Sequence, residues 1–150
     1  WSELRTLLGS GVCKLKELHL HANNYIGNEG VDVLPNGLRG IGSFLTVLEM
    51  GNNSIGNDGL LAVVEALPTC TSLETLNLSG NDFSSAVVGL ASLSDVIQSD
   101  EVNLKYLDVL HCRINDEGLR ALYPGAANHC LEIDIGGNES ITATGLSYLY

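Results

Sequence analysis

The sequence predicts an α/β solenoid, a right-handed horseshoe of stacked strand–turn–helix units with one parallel sheet on the concave side and helices on the convex side. Three observations predict it. The run LKELHLHAN at 15–23 returns as LTVLEMGNN from Leu45, LETLNLSGN from Leu73, LKYLDVLHC from Leu104 and CLEIDIGGN from Cys130. The starts lie 30, 28, 31 and 26 residues apart, a spacing typical of stacked repeats. Each copy leads into an apolar residue and, in four of the five, a Gly followed by helical spacing. Five units exceed the roughly three that an array needs before neighbours bury one another, and 45% hydrophobic residues supply the core.

Each element follows from position within the repeat. The fourth and sixth core positions are apolar (Leu18/Leu20, Leu48/Met50, Leu76/Leu78, Leu107/Val109, Ile133/Ile135) and alternate with outward residues, the period of a half-buried strand. The ninth position forms a column of Asn23, Asn53, Asn81, Cys112 and Asn138. A buried Asn must satisfy two donors and an acceptor, so this column is expected to bridge backbone where the strands turn inward, as a structural ladder. Cys112 supplies only a weak donor, and a looser rung is expected there. Beyond the ladder come Ile26, Ile55, Phe83, Ile114 and Ile141, then Gly30, Gly59, Gly118 and Gly145. Four residues further stand Leu34, Val63, Leu122 and Leu149, so a helix follows each strand. Gly59–Cys70 is the clearest helix, closed by Pro68. The third repeat lacks the Gly, and Ser84 or Ser85 is expected to cap its helix. Pro35-Asn36-Gly37 predicts a short or broken helix in the first repeat. Ser2–Leu8 reads as the last helix of a preceding unit. The chain is therefore expected to be one domain over 1–150, with repeats starting near 15, 45, 73, 104 and 130 and a partial repeat at 1–14, cut from a longer protein.

The charge excludes one class of partner. Eighteen acidic residues stand against seven basic ones, for a net charge of −11. Nucleic acid is disfavoured, because binding it rests on Lys and Arg at phosphates, whereas a basic protein surface would be attracted. No apolar run approaches the roughly 18 residues of a membrane span, and no leader pattern opens the chain. Cys13, Cys70, Cys112 and Cys130 form no CxxC, and Cys112 and Cys130 occupy repeat positions where the other copies have Asn and Leu, both expected to be buried. This usage fits a reduced, intracellular, cytoplasmic protein. The Asn-x-Ser sequons at Asn52, Asn77 and Asn138 read as coincidence, since Asn138 belongs to the buried ladder.

The strand core, the Asn/Cys column and the Ile-x-x-x-Gly entry into a helix, as in IGNDGLLAVVEAL, resemble the ribonuclease-inhibitor-like class of leucine-rich repeats over Leu15 to about Tyr150. The resemblance implies an intracellular protein-binding scaffold, in a class that includes inhibitors, sensor domains of immune receptors and a GTPase-activating protein for Ran.

The outward positions on the concave face carry the candidate protein-binding residues: Glu17, His19, His21, Glu49, Asn77, Tyr106, Asp108, Leu110, His111, Glu132 and Asp134. Asp108, Glu132 and Asp134 make an acidic cluster, with Tyr106 and Leu110 as an aromatic–apolar anchor. His19 and His21 share one side of a strand, with Glu49 on the next. His111 lies three strands and about 14 Å away, so no metal ligand set is expected. Asp108 and Asp134 face each other across adjacent strands, but the face is open and no catalytic constellation accompanies them. Neither catalytic residues nor a cofactor are expected. The predicted function is a non-catalytic scaffold or assembly subunit that binds another protein, with a GTPase activator or a receptor sensor domain as alternatives.

Overall fold

Each repeat core folds into a three-residue strand: β1 Glu17–His19, β2 Val47–Glu49, β3 Thr75–Asn77, β4 Tyr106–Asp108 and β5 Glu132–Asp134. The structure, a computed structural model, describes every residue except Trp1, Gly11, Asn24, Tyr25, Asp32 and 128–130, and leaves the side chains of residues 2, 4, 5 and 29 undescribed. The strands form one parallel sheet in chain order. Its register aligns Leu18, Leu48, Leu76, Leu107 and Ile133 in a single column. The column points into the core, where its three middle members are fully buried. Cys130, expected to be buried, lies outside the described residues.

The helical side comprises α1 Ser2–Gly9, α2 Gly27–Val31, α3 Leu34–Ile41, α4 Asn57–Ala66, α5 Val87–Gln98, α6 Asp116–Ala127 and α7 Ala143–Leu146. One-turn 3₁₀ segments extend α4 (Leu67–Thr69) and α7 (Ser147–Leu149). Helices pack against those of adjacent units: α1 on α3, α3 on α4, α4 on α5, α5 on α6, α6 on α7. Strands about 4.8 Å apart beside helices that need about 10 Å make the helical side the wider one, so the sheet lines the concave side. Among the described residues, no helix is long and apolar enough to cross a membrane.

Proline and glycine decide the helix boundaries. Pro35 lies in the first turn of α3, where its missing N–H removes no helical bond. It therefore starts a second helix in the first repeat. Pro68 sits in the 3₁₀ turn that ends α4. Pro124 lies inside α6, and the next amide, Gly125, donates across to Ser94 Oγ of α5 at 2.7 Å. A Cβ at Gly125 would stand 2.6 Å from the Ser94 carbonyl oxygen, so glycine permits this close crossing.

The N-termini of α4, α5 and α7 are held by the preceding unit. Asn28 Oδ1 accepts from the Gly56 and Gly59 amides at 2.9 and 3.1 Å. Asn57 Oδ1 accepts from Gly89 at 3.1 Å, and the Asp116 carboxylate accepts from the Thr142 amide and hydroxyl, both at 2.7 Å. These bonds satisfy first-turn amides that have no partner within their own helix. They correct two expectations about the third repeat. Its glycine is present as Gly89, displaced by two residues, and its amide donates to Asn57 of the preceding repeat as Gly59 does to Asn28, whereas Gly118 donates to Asn115 of its own repeat at 2.9 Å. Ser84 does not cap the helix; its hydroxyl donates to Asp82 at 2.7 Å, and Ala86 holds the cap position without a side-chain bond.

The ladder column runs as a chain of cross-repeat bonds. Asn53 Oδ1 accepts from the Asn23 amide at 3.0 Å, and Asn81 Oδ1 from the Asn53 and Ile55 amides at 3.1 and 3.0 Å. Asn138 Oδ1 accepts from Cys112 and Ile114, both at 2.9 Å. The amide nitrogens donate both to their own repeat and to the one before, as Asn81 Nδ2 does to Leu78 O and Met50 O. Asn53, Asn81 and Asn138 are buried, whereas Asn23, on the edge strand's turn, is exposed, contrary to expectation. The Cys112 rung is closed rather than loose. Its Sγ donates to Leu78 O at 3.1 Å, and its own carbonyl accepts the Phe83 amide at 2.8 Å, the bond a side-chain oxygen takes elsewhere.

Substitution of Asn81 by Ala leaves two buried amides without their acceptor, and we expect a loss of about 3 kcal/mol or more in urea denaturation. Cys112→Ala removes only a weak donor and some buried sulfur, for about 1 kcal/mol. Equal losses would mean that the column is filled for volume alone.

Candidate functional site

The outward side chains of the five strands define the candidate face. Register aligns the third core positions as Glu17, Val47, Thr75, Tyr106 and Glu132, and the fifth as His19, Glu49, Asn77, Asp108 and Asp134. The two halves of this face behave differently.

In the last three repeats the fifth-position side chain turns back onto its own backbone. Asn77 Oδ1 accepts from the Ser79 amide at 2.9 Å, Asp108 Oδ1 from Leu110 at 2.9 Å, and Asp134 Oδ1 from Gly136 at 3.1 Å. This is the bond of an Asx turn, which holds the chain where it leaves the strand. Asp108 is only 7% exposed, so it is a buried turn residue and not the open binding carboxylate expected from the sequence. Asn77 and Asp134, half-buried, combine the outward position with the turn bond.

Leu110 and His111 also differ from expectation. Both lie on the turn after β4, past the end of the strand. The eighth position of every repeat adopts the left-handed conformation: Ala22, Asn52, Gly80, His111 and Gly137 have φ of 58°, 56°, 67°, 53° and 66°. Such backbone favours Gly and Asn and is tolerated by His, which fits Asn52, Gly80, His111 and Gly137 and leaves Ala22 as the costly member. The Leu110 side chain reaches across to Gly136, and the His111 ring lies against Gly137. Glycine in the last repeat thus makes room for large residues in the one before.

Tyr106 remains on the face, half-buried. Its hydroxyl pKa is pushed up, first by partial desolvation and then by the carboxylates of Asp108, Asp134 and Glu132. Glu132 is exposed. The acidic end of the face thus consists of an open Glu132, a half-open Asp134 and a buried Asp108 beside one aromatic ring.

The first two repeats carry a compact polar cluster. His19 Nδ1 stands 2.6 Å from Glu49 Oε2, His19 Nε2 3.1 Å from Glu17 Oε2, and His21 Nδ1 3.4 Å from Glu49 Oε2. The His19 pKa is raised above 6.5, chiefly by the hydrogen bond to Glu49 and then by that to Glu17. The Glu49 pKa is lowered below 4.5, chiefly by His19. His19, His21 and Glu49 each place a ligand atom within 4.8 Å of the others. Among the described residues they form a group that could share a metal ion.

The remaining chemistry is quiet. Burial pushes the thiols of Cys70 and Cys112 up to about 11 and about 12, so both stay protonated at neutral pH. With Cys13 they are the free thiols among the described residues. An apolar cavity of about 220 Å³ opens between α6 and β5, lined by Leu119, Leu122, Tyr123, Ala126, Ile133, Ile135 and Leu149. It lies beside β5, the last strand of the sheet. Asn138 is buried, as expected of a sequon belonging to the ladder.

This chain belongs to the leucine-rich-repeat family. Five segments, at residues 13–34, 43–64, 69–86, 102–122 and 127–149, match the family described as "Leucine Rich repeat", and each contains one strand of the sheet. Among solved structures it is similar to the tropomodulin C-terminal domain of Caenorhabditis elegans, with a TM-score of 0.75 over 99% of this chain and 87% of that one. The two are 14% identical, so the likeness is one of fold. No curated protein matches the chain.

Two measurements test the two halves of the face. Asp108→Asn keeps the acceptor for Leu110 and should leave stability nearly unchanged, while Asp108→Ala should lose about 1–2 kcal/mol; equal losses would deny the turn role. For His19, charge pairing stabilises the fold fully below the unfolded imidazole value near 6.5 and fades as pH rises through the raised folded value. The Glu49 contribution is present above about 4.5 and fades as pH falls through its lowered value. The pair is therefore strongest between Glu49's lowered and His19's raised values, and solvent exposure keeps its effect small. An NMR titration should place the His19 midpoint above 6.5, falling toward 6.5 in Glu49→Gln. A midpoint at or below 6.5 in the unmodified chain would contradict the pairing.

Proposed function

We propose that this domain is a non-catalytic scaffold of the ribonuclease-inhibitor-like kind, binding another protein through its concave strand face. One observation carries the reading: five parallel strands direct a row of side chains away from the core, with Glu17, His19 and Glu132 exposed and Tyr106 partly open beside the acidic end. A partner with a basic surface suits this face, because the chain carries −11 and its concave residues are acidic at both ends. Tyr106 is the anchor, an aromatic ring of low conformational cost flanked by carboxylates.

The non-catalytic reading rests on what the carboxylates do. Asp108 and Asp134 are aligned on adjacent strands, but each accepts a backbone amide in its own turn. The surrounding face is open to water, which weakens any electrostatic stabilisation of a reacting group. Unpaired, protonated thiols at Cys70 and Cys112 support a reducing, intracellular setting.

The test follows from separating binding from folding. Asp108 and Asp134 are left intact because they hold turns, and Tyr106→Ala is combined with Glu132→Gln. Partners captured on the immobilised domain and identified by mass spectrometry should bind the double variant at least about tenfold more weakly, an energy of about 1.4 kcal/mol. The circular dichroism spectrum should be unchanged, and capture by the unmodified domain should fall with added salt. Undiminished capture by the double variant would move the contact to the helices or loops.

A further inference from the structure

We infer that His19, His21 and Glu49 form a Zn²⁺-binding site at the N-terminal end of the concave face, with Glu17 orienting His19 from outside the ligand shell. This site does not depend on the protein-binding reading, and either can fail without the other.

Geometry brings the ligands together. His19 ends β1 and His21 opens the turn that follows, and both rings reach the same carboxylate oxygen, Glu49 Oε2. Register places Glu49 directly beside His19 on the neighbouring strand. The three ligand atoms lie within 4.8 Å of one another. Ligands at about 2.0–2.2 Å around a tetrahedral Zn²⁺ are separated by about 3.3 Å. The His21–Glu49 distance of 3.4 Å already matches that spacing. The His19–Glu49 distance of 2.6 Å has to open by less than about 1 Å. Both rings are about half exposed or more, at 45% and 61%, so a change in side-chain torsion can supply this movement.

A second observation concerns the other His19 nitrogen. Nδ1 faces Glu49, while Nε2 lies 3.1 Å from Glu17 Oε2. A histidine that ligates through one nitrogen and donates its other N–H to a carboxylate is the usual arrangement around zinc; it fixes the ring and raises its basicity as a ligand. Glu17 sits two residues before His19 on the same side of the strand and already occupies that place. Two imidazoles and one carboxylate suit Zn²⁺, and three protein ligands leave a fourth position open toward the concave space. Water fills that position, or a carboxylate or imidazole from a bound molecule.

The experiment uses Zn²⁺ alone, followed by calorimetry and by NMR of the histidine rings, in a Cys13→Ser background so that the half-buried thiol does not compete. We expect one site per chain with micromolar affinity and shifts concentrated at His19 and His21. His19→Ala, His21→Ala and Glu49→Ala should each weaken binding at least about tenfold. Glu17→Gln should weaken it by about tenfold as well, with the stoichiometry unchanged. His111→Ala, on the distant turn, should have no effect. All of these side chains are exposed or half-exposed, and circular dichroism confirms folding of each variant. Binding that survives the His19→Ala/His21→Ala double substitution, or is lost with His111→Ala, overturns the assignment. So does the absence of binding heat at millimolar Zn²⁺.

Discussion

The structure depends on backbone amides being satisfied by side chains of the next repeat. A strand of three residues offers too few ladder bonds to hold a unit in place, and the chain must turn out of the sheet at once. The amides in that turn would be buried without partners, each at a cost of about 1–3 kcal/mol. Asn53, Asn81 and Asn138 remove that cost by reaching from one repeat into the one before. The bond runs between units, so no repeat is complete without its neighbour. That is the physical content of a nearest-neighbour solenoid.

The helical side solves the same problem with different residues. First-turn amides of α4, α5 and α7 point at an Asn or Asp of the preceding unit, and a glycine lets the side chain come close. At Gly59 a Cβ would stand 2.7 Å from Asn28 Oδ1. At Gly59 and Gly145 the missing Cβ is therefore a gap for an acceptor, at Gly89 and Gly118 it also admits the side chains of Leu60 and Leu90, and none of the four owes anything to a left-handed turn. The Ser94–Gly125 crossing extends the device to the middle of α5 and α6, where Pro124 has interrupted the regular helical pattern.

The sequence made the scaffold legible because its positions repeat. Periodic Leu and Ile placed every strand, and the polar column at a core position revealed the ladder before any geometry was known. What was hidden lay in the non-repeating details. Cys112 was readable as a poor hydrogen-bonding residue, but the use of its own carbonyl to accept Phe83 was not. Gly89 escaped notice because two inserted residues moved it out of step. Asp108 was the most misleading case. Alternation put it outward, correctly, but alternation says nothing of a carboxylate folding back on an amide two residues ahead. Local side-chain-to-backbone bonds compete with outward display, and a pattern of faces does not contain them.

That competition divides the concave face. In the last three repeats Asn77, Asp108 and Asp134 are short enough to close an Asx turn, and the scaffold uses them. In the first two the same position holds His19 and Glu49, whose longer side chains meet each other instead. The turns there rely on the ladder amides, Asn23 Nδ2 reaching His21 O and Asn53 Nδ2 reaching Gly51 O. Relieved of turn duty, His19 and Glu49 can reach across the strand spacing, with Glu17 and His21 alongside. The outward charged and aromatic side chains free of backbone bonds therefore include the histidine–glutamate cluster at one end and Tyr106 with Glu132 at the other. A residue already bonded to its own backbone must break that bond before it can grip anything else, and these residues need break none.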